Sequence, residues 1–286
     1  MAVYMLVGSQ EPTLPVQRPS SPQKVAADSD ALSPVDSVRQ RPAGSELQDQ
    51  VAQRPPSTQS WLTRPYRIYP WVYTTKVVLT LLAMVLVWRG YQAFPVRVSG
   101  LSVCVGVVGV VLWIALCQLR LEPKIIGPVD RFLGGFIPGL EEGDTASVGL
   151  MGILDAGERS AFNPLEQLSD SPAWAYAFLA IRFFGLAMLV PVMEEFFLRG
   201  FLMRYVQHET WWQLPLGEVN RMAVVVGTLV PMLMHPGELL AAFVWFSMVT
   251  WLMVRTRNIW DCVVAHAVTN FLLGVYVVVW DQWQLM

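Results

Sequence analysis

The sequence predicts an all-α, polytopic membrane bundle of about six transmembrane helices, and three observations carry that prediction. The 286 residues are 54% hydrophobic and only 15% charged, with a mean hydropathy of +0.42, whereas soluble domains average roughly 25% charged residues. Several apolar runs reach the length, about 20 residues, that a helix needs to cross a hydrocarbon core of about 30 Å. Their flanks carry Trp, Tyr and Arg, the residue types that anchor spanning helices at the membrane surface.

Taken in order, residues 1–60 are rich in Pro, Ser, Gln and Ala. Such a stretch buries too little apolar surface to offset its ordering entropy, so disorder is expected there. No cleaved targeting segment is evident, because the opening "MAVYMLVG" lacks a basic region before its apolar residues. Residues 61–172 open with two spans, 71–88 and 98–119, flanked by Trp61, Arg64, Tyr66, Arg67, Tyr69, Arg89, Tyr91, Arg97 and Arg120. A long polar interruption follows, residues 120–172, broken by Gly and Pro, with short interfacial helices expected around Phe132 to Leu140.

Residues 173–281 form the denser membrane core. The run 173–193 continues into "PVMEEFFLRG"; residues 222–254 read as two helices meeting at Pro236-Gly237; residues 262–280 form the last span. Pro191 and Pro231 are expected to kink their helices, with neighbouring helices re-satisfying the carbonyls they free. No internal repeat supports the paired halves of a transporter. Lys and Arg on both sides of nearly every span give only a slight lean toward a cytoplasmic N-terminus.

A formal charge of -2, with no basic patch interleaved with aromatics, sets nucleic acid aside as a partner. Cys104, Cys117 and Cys262 have neither disulfide nor zinc-knuckle spacing and read as small buried hydrophobes.

Charged groups inside such a chain are functional-site hypotheses by default, because they are costly at bilayer depth. Glu195 and Arg199, four apart, share a helix face and can pair, while Glu194 points roughly 100° away. One carboxylate is then held by the arginine and the other left to act as a base. The plainer alternative is an ion pair locking two helices. His266 and Asn270, again four apart, offer two directed donors of the kind that stabilises an oxyanion, or else interhelical hydrogen-bond glue. His235, alone in "PMLMHPGE", reads by itself as a satisfied buried histidine. Together these residues supply a base, a water-positioning group and oxyanion donors, the parts of a hydrolase that attacks a carbonyl with water.

The same residues resemble the motifs of the CPBP family, the CAAX prenyl proteases and bacteriocin-processing (Abi) proteins. "EEFFLR" at 194–199 matches Glu-Glu-x-x-x-Arg, and "HAVTN" at 266–270 matches His-x-x-x-Asn. "PMLMH" keeps His235 but carries Pro231 where the family motif has Phe. The resemblance covers residues 173–281 and implies an intramembrane endopeptidase with Glu194 and His235 activating water. It implies further that Glu195 and Arg199 organise the site and that His266 with Asn270 stabilises the oxyanion. Zinc, if a metal is used, would fall on Glu194, His235 and His266, a ligand set of the catalytic kind; with the H-E-x-x-H motif absent, no required cofactor is the expectation. The expected partners are a membrane protein or peptide substrate, the lipid bilayer and a protein-sorting partner. The extra spans and "ERSAFNP" resemble the CAAX-protease-related proteins of exosortase systems, which implies a prokaryotic plasma membrane. Two other classes stay open: a noncatalytic scaffold or immunity protein of the same family, and a proton-coupled transporter.

Overall fold

The computed structural model describes residues 60–119 and 161–286, with three isolated positions between them. The expected disorder of residues 1–60 falls almost wholly outside the described residues, as do the interfacial helices expected around Phe132 to Leu140. Among the described residues the architecture is entirely helical. The principal helices are α1 (Ser60–Leu86), α2 (Gly100–Leu119), α3 (Pro172–Tyr205), α4 (Arg221–Leu233), α5 (Leu239–Thr256) and α6 (Ile259–Trp280). Five segments are long and apolar enough to cross a membrane: Arg67–Leu86 within α1, and α2, α3, α5 and α6. The shorter apolar α4, at 1.5 Å per residue, reaches only about 20 Å. The chain is an integral membrane protein built as a helix bundle.

The two helices that precede residue 173 in the core go to different neighbours. The most extensive packing among the described residues joins α2 to α6, and α2 also lies along α5. Helix α1 instead rests on the first half of α3. Close approach at α2 depends on glycine: a Cβ on Gly109 would sit 2.2 Å from the Trp245 ring of α5, and one on Gly106 would sit 2.7 Å from the Ala265 carbonyl of α6. Small residues at such crossings let helices associate where lipid gives no hydrophobic drive between them. The resulting core gathers Val105, Trp113, Leu198, Trp245, Phe246, Val249, Cys262 and Ala265, all buried.

Helix ends follow their local sequence. Asn220 caps α4 by accepting from the Ala223 amide at 2.9 Å, and Asn258 caps α6 by accepting from Trp260 at 3.2 Å. The α6 N-terminus is also strapped to the chain before α2. Asn258 donates to the Arg97 carbonyl at 2.7 Å, Trp260 Nε1 donates to the Phe94 carbonyl at 3.0 Å, and the Ser99 amide donates to Asp261 at 2.7 Å. Helices α4 and α5 meet as expected at Pro236, through a short 3-10 turn, Pro236–Glu238.

Helix α3 is not a uniform α-helix. It widens to π geometry over Gly185–Leu189 and again over Phe196–Leu202, with an α stretch, Val190–Glu195, between them. Single π turns mark functional positions in many helices. Here both flank the Glu194–Glu195 pair.

Candidate active site

The polar groups of the core come from three places. Helix α3 supplies Glu194, Glu195 and Arg199; the turn after α4 supplies His235; α6 supplies His266 and Asn270. Glu195 and Arg199 pair as their spacing predicts: Arg199 Nη1 lies 3.2 Å from Oε1 and 3.1 Å from Oε2, with both side chains fully buried. The same Oε1 accepts from His266 Nδ1 at 2.9 Å. Since the carboxylate can only accept, Nδ1 carries the proton and Nε2 is the ring atom left for another partner. Glu195 is therefore tied on two sides, across two helices.

Glu194 is different. It is 93% buried, being only 7% exposed, and among the described residues its carboxylate makes no hydrogen bond or ion pair. Two adjacent glutamates thus occupy contrasting environments, one fixed and one unengaged.

The rest of the arginine shell is two backbone carbonyls and a hydroxyl. Arg199 Nη2 faces the Gly227 carbonyl at 3.4 Å, the Phe246 carbonyl at 3.4 Å and Thr250 Oγ1 at 3.5 Å. Thr250 in turn donates to the Gly227 carbonyl at 3.3 Å. Gly227 is available because it lacks a side chain: a Cβ there would meet Met203 Sδ at 2.5 Å.

His235 donates Nδ1–H to the Pro231 carbonyl at 2.8 Å, which again leaves Nε2 as the ring atom for another partner. It is joined to the buried pair through Phe246. The ring of Phe246 lies 5.3 Å from the His235 ring and 6.4 Å from the His266 ring, and the Arg199 guanidinium sits 5.5 Å above it. Trp113 packs edge-on against His235 at 5.9 Å, and Trp245 against His266 at the same separation. Asn270, one turn along α6 from His266, donates its amide to the Leu186 carbonyl at 2.9 Å. One donor of that side chain is therefore spent on α3.

The structure brings Glu195, Arg199 and His266 into direct contact, places His235 beside them across Phe246, and keeps Glu194 buried next to the fixed carboxylate. The sequence offered no signal for Phe246, Thr250 or Trp113. A partial signal existed for the carbonyls, because proline removes a helix donor.

Residues 176–272 match the family model described as type II CAAX prenyl endopeptidase Rce1-like. That stretch, about a third of the chain, is similar to the Rce1-like family and holds every residue singled out above as a candidate, and the likeness supports a function of the CAAX intramembrane protease kind. No curated protein and no solved structure matches the chain. As to zinc, no group of three or more His, Cys, Asp or Glu among the described residues is gathered closely enough to hold a metal ion. Glu194, His235 and His266 do not fit that ion in this arrangement.

Proposed function

We propose that this protein is an intramembrane endopeptidase that hydrolyses a peptide bond of a membrane-associated or lipidated protein or peptide, with water as the nucleophile. The observation that carries the reading is the contrast between the two glutamates. Glu195 is consumed by Arg199 and His266, while Glu194, buried beside it, has no partner among the described residues and 7% of its surface open. A carboxylate so placed is available to take a proton from water.

In this reading Glu194 acts as general base and His235, through Nε2, helps hold the attacking water. The proton leaves water for Glu194 as oxygen adds to the scissile carbonyl. His266 and Asn270 face the developing oxyanion through the donors not already engaged, Nε2 of the imidazole when it is protonated and the second amide hydrogen of the asparagine. Collapse of the tetrahedral species returns the proton to the leaving amine, and no cofactor is required. Arg199 and Glu195 keep His266 oriented.

The test is Glu194→Gln, an isosteric change that removes the base. Peptide termini of membrane proteins would be compared by mass spectrometry in membranes expressing each form. Loss of specific termini by at least about 100-fold, with insertion and yield unchanged, supports hydrolysis and names the substrate. Identical termini and identical captured partners would instead establish the noncatalytic scaffold.

A further inference from the structure

Pro231 stands where the resembling motif carries Phe, and it lies inside α4 rather than at its start. Proline there has no amide hydrogen to give the carbonyl four residues earlier, which is that of Gly227. An unpaired carbonyl in a membrane bundle is costly unless another group reaches it. Two groups do, and both belong to the active-site shell: Thr250 Oγ1 at 3.3 Å and Arg199 Nη2 at 3.4 Å. The carbonyl of Pro231 itself accepts from His235 Nδ1 at 2.8 Å as well as from the Met234 amide at 3.1 Å.

We infer that Pro231 is a positioning residue that acts through the hydrogen bond it cannot make, releasing the Gly227 carbonyl to Arg199 and Thr250. An ordinary residue at 231 would reclaim that carbonyl for the helix ladder. Arg199 would then keep Glu195 but lose part of the far side of its cradle. Since Glu195 orients His266, the slack would pass to the imidazole. The inference rests on the peptidase reading for its catalytic consequence, while the exchange of hydrogen bonds stands on geometry alone.

The experiment is a cycle of Pro231→Ala and Thr250→Val on the full chain in detergent, read as melting temperature and as the rate at which Glu194-dependent termini appear. With proline present, Thr250→Val strips one of two donors from Gly227 and lowers Tm by about 2–4 °C. In the Pro231→Ala background the restored backbone donor makes the same change nearly silent. Pro231→Ala alone is expected to hold or raise Tm and yet slow cleavage on the order of tenfold. Lactic acid incorporated at position 231, which lacks the amide hydrogen without having the ring, should restore the rate. Equal Tm losses in both backgrounds overturn the inference, as does full-rate cleavage by Pro231→Ala, or a lost rate that lactic acid does not restore. Should Glu194→Gln also leave every terminus unchanged, the peptidase reading fails, and the Tm cycle still decides the hydrogen-bond exchange.

Discussion

Two arginines on α3, Arg182 and Arg199, are both buried, 3% and 1% exposed, and they serve different ends. Arg199 faces a carboxylate, two carbonyls and a hydroxyl drawn from α3, α4 and α5. Arg182 donates to two backbone oxygens, that of Phe162 at 3.0 Å and that of Met286. Its guanidinium also sits 5.8 Å over the Tyr69 ring. Around it lie Tyr73, Phe162 and Phe178, aromatics of a second core between α1 and α3. No Asp or Glu side chain among the described residues pairs with it. A buried cation is thus no guide to chemistry by itself. What marks Arg199 is that its carboxylate partner is shared with a histidine on another helix.

The comparison breaks most sharply under Arg199→Met. Removing the cation leaves Glu195 buried with only His266, a loss of about 3–5 kcal/mol of stability. Cleavage should vanish with it, as measured by thermal melts and by the disappearance of Glu194-dependent termini. Full cleavage in that variant would place the reaction elsewhere. Arg182→Met should cost less, about 1–3 kcal/mol for carbonyls left unpaired, and should leave the cleavage rate of the surviving folded protein unchanged. A selective loss of rate at unchanged Tm would show that Arg182 also communicates with the site. The smallest expected change in stability is that of Asn270→Ala. Its interhelical bond to Leu186, one turn beyond Arg182 on α3, is worth about 0.6 kcal/mol in a membrane. Its cleavage rate should nonetheless fall on the order of 100-fold, the loss of one oxyanion donor; an unchanged rate would leave Asn270 a tie between helices.

Much of this contrast was legible in the sequence. The spacing of Glu195 and Arg199, and of His266 and Asn270, follows from helix geometry, and the apolar runs locate the helices on which those residues lie. Pro191 and Pro231, where freed carbonyls were expected to find partners on neighbouring helices, are informative too. In the π stretch before Pro191 the Val190 amide bonds to the Gly185 carbonyl. The next donor in that register would be the amide proline lacks, so the Leu186 carbonyl is left for Asn270. Pro231 does the same to Gly227 in α register.

What could not be read was which helices touch. Nothing local says that Trp245 lies on Gly109, or that Phe246 rather than some other ring separates His235 from His266. The carboxylate four residues before it marks Arg199 in the sequence, but no periodicity says that Glu195 also meets a histidine from another helix, or that Arg182 is buried among aromatics. The polar interruption resisted a sequence reading for a simpler reason, since glycines and prolines there erase the period on which such a reading depends.

The two wide turns of α3 give that helix something like a reading frame. Between them, Val190–Glu195 keeps ordinary spacing, so the faces of Glu194 and Glu195 are set locally. A single-codon deletion within Gly185–Leu189 would only remove the residue that the wide turn stores, whereas one within 190–193 would rotate everything beyond it by about 100°. That second deletion would preserve composition, hydropathy and span length, and still turn Glu195 away from His266. Variation in this protein is therefore expected to be tolerant of substitution along the lipid-facing side of α3 and intolerant of a change in length between its two wide turns.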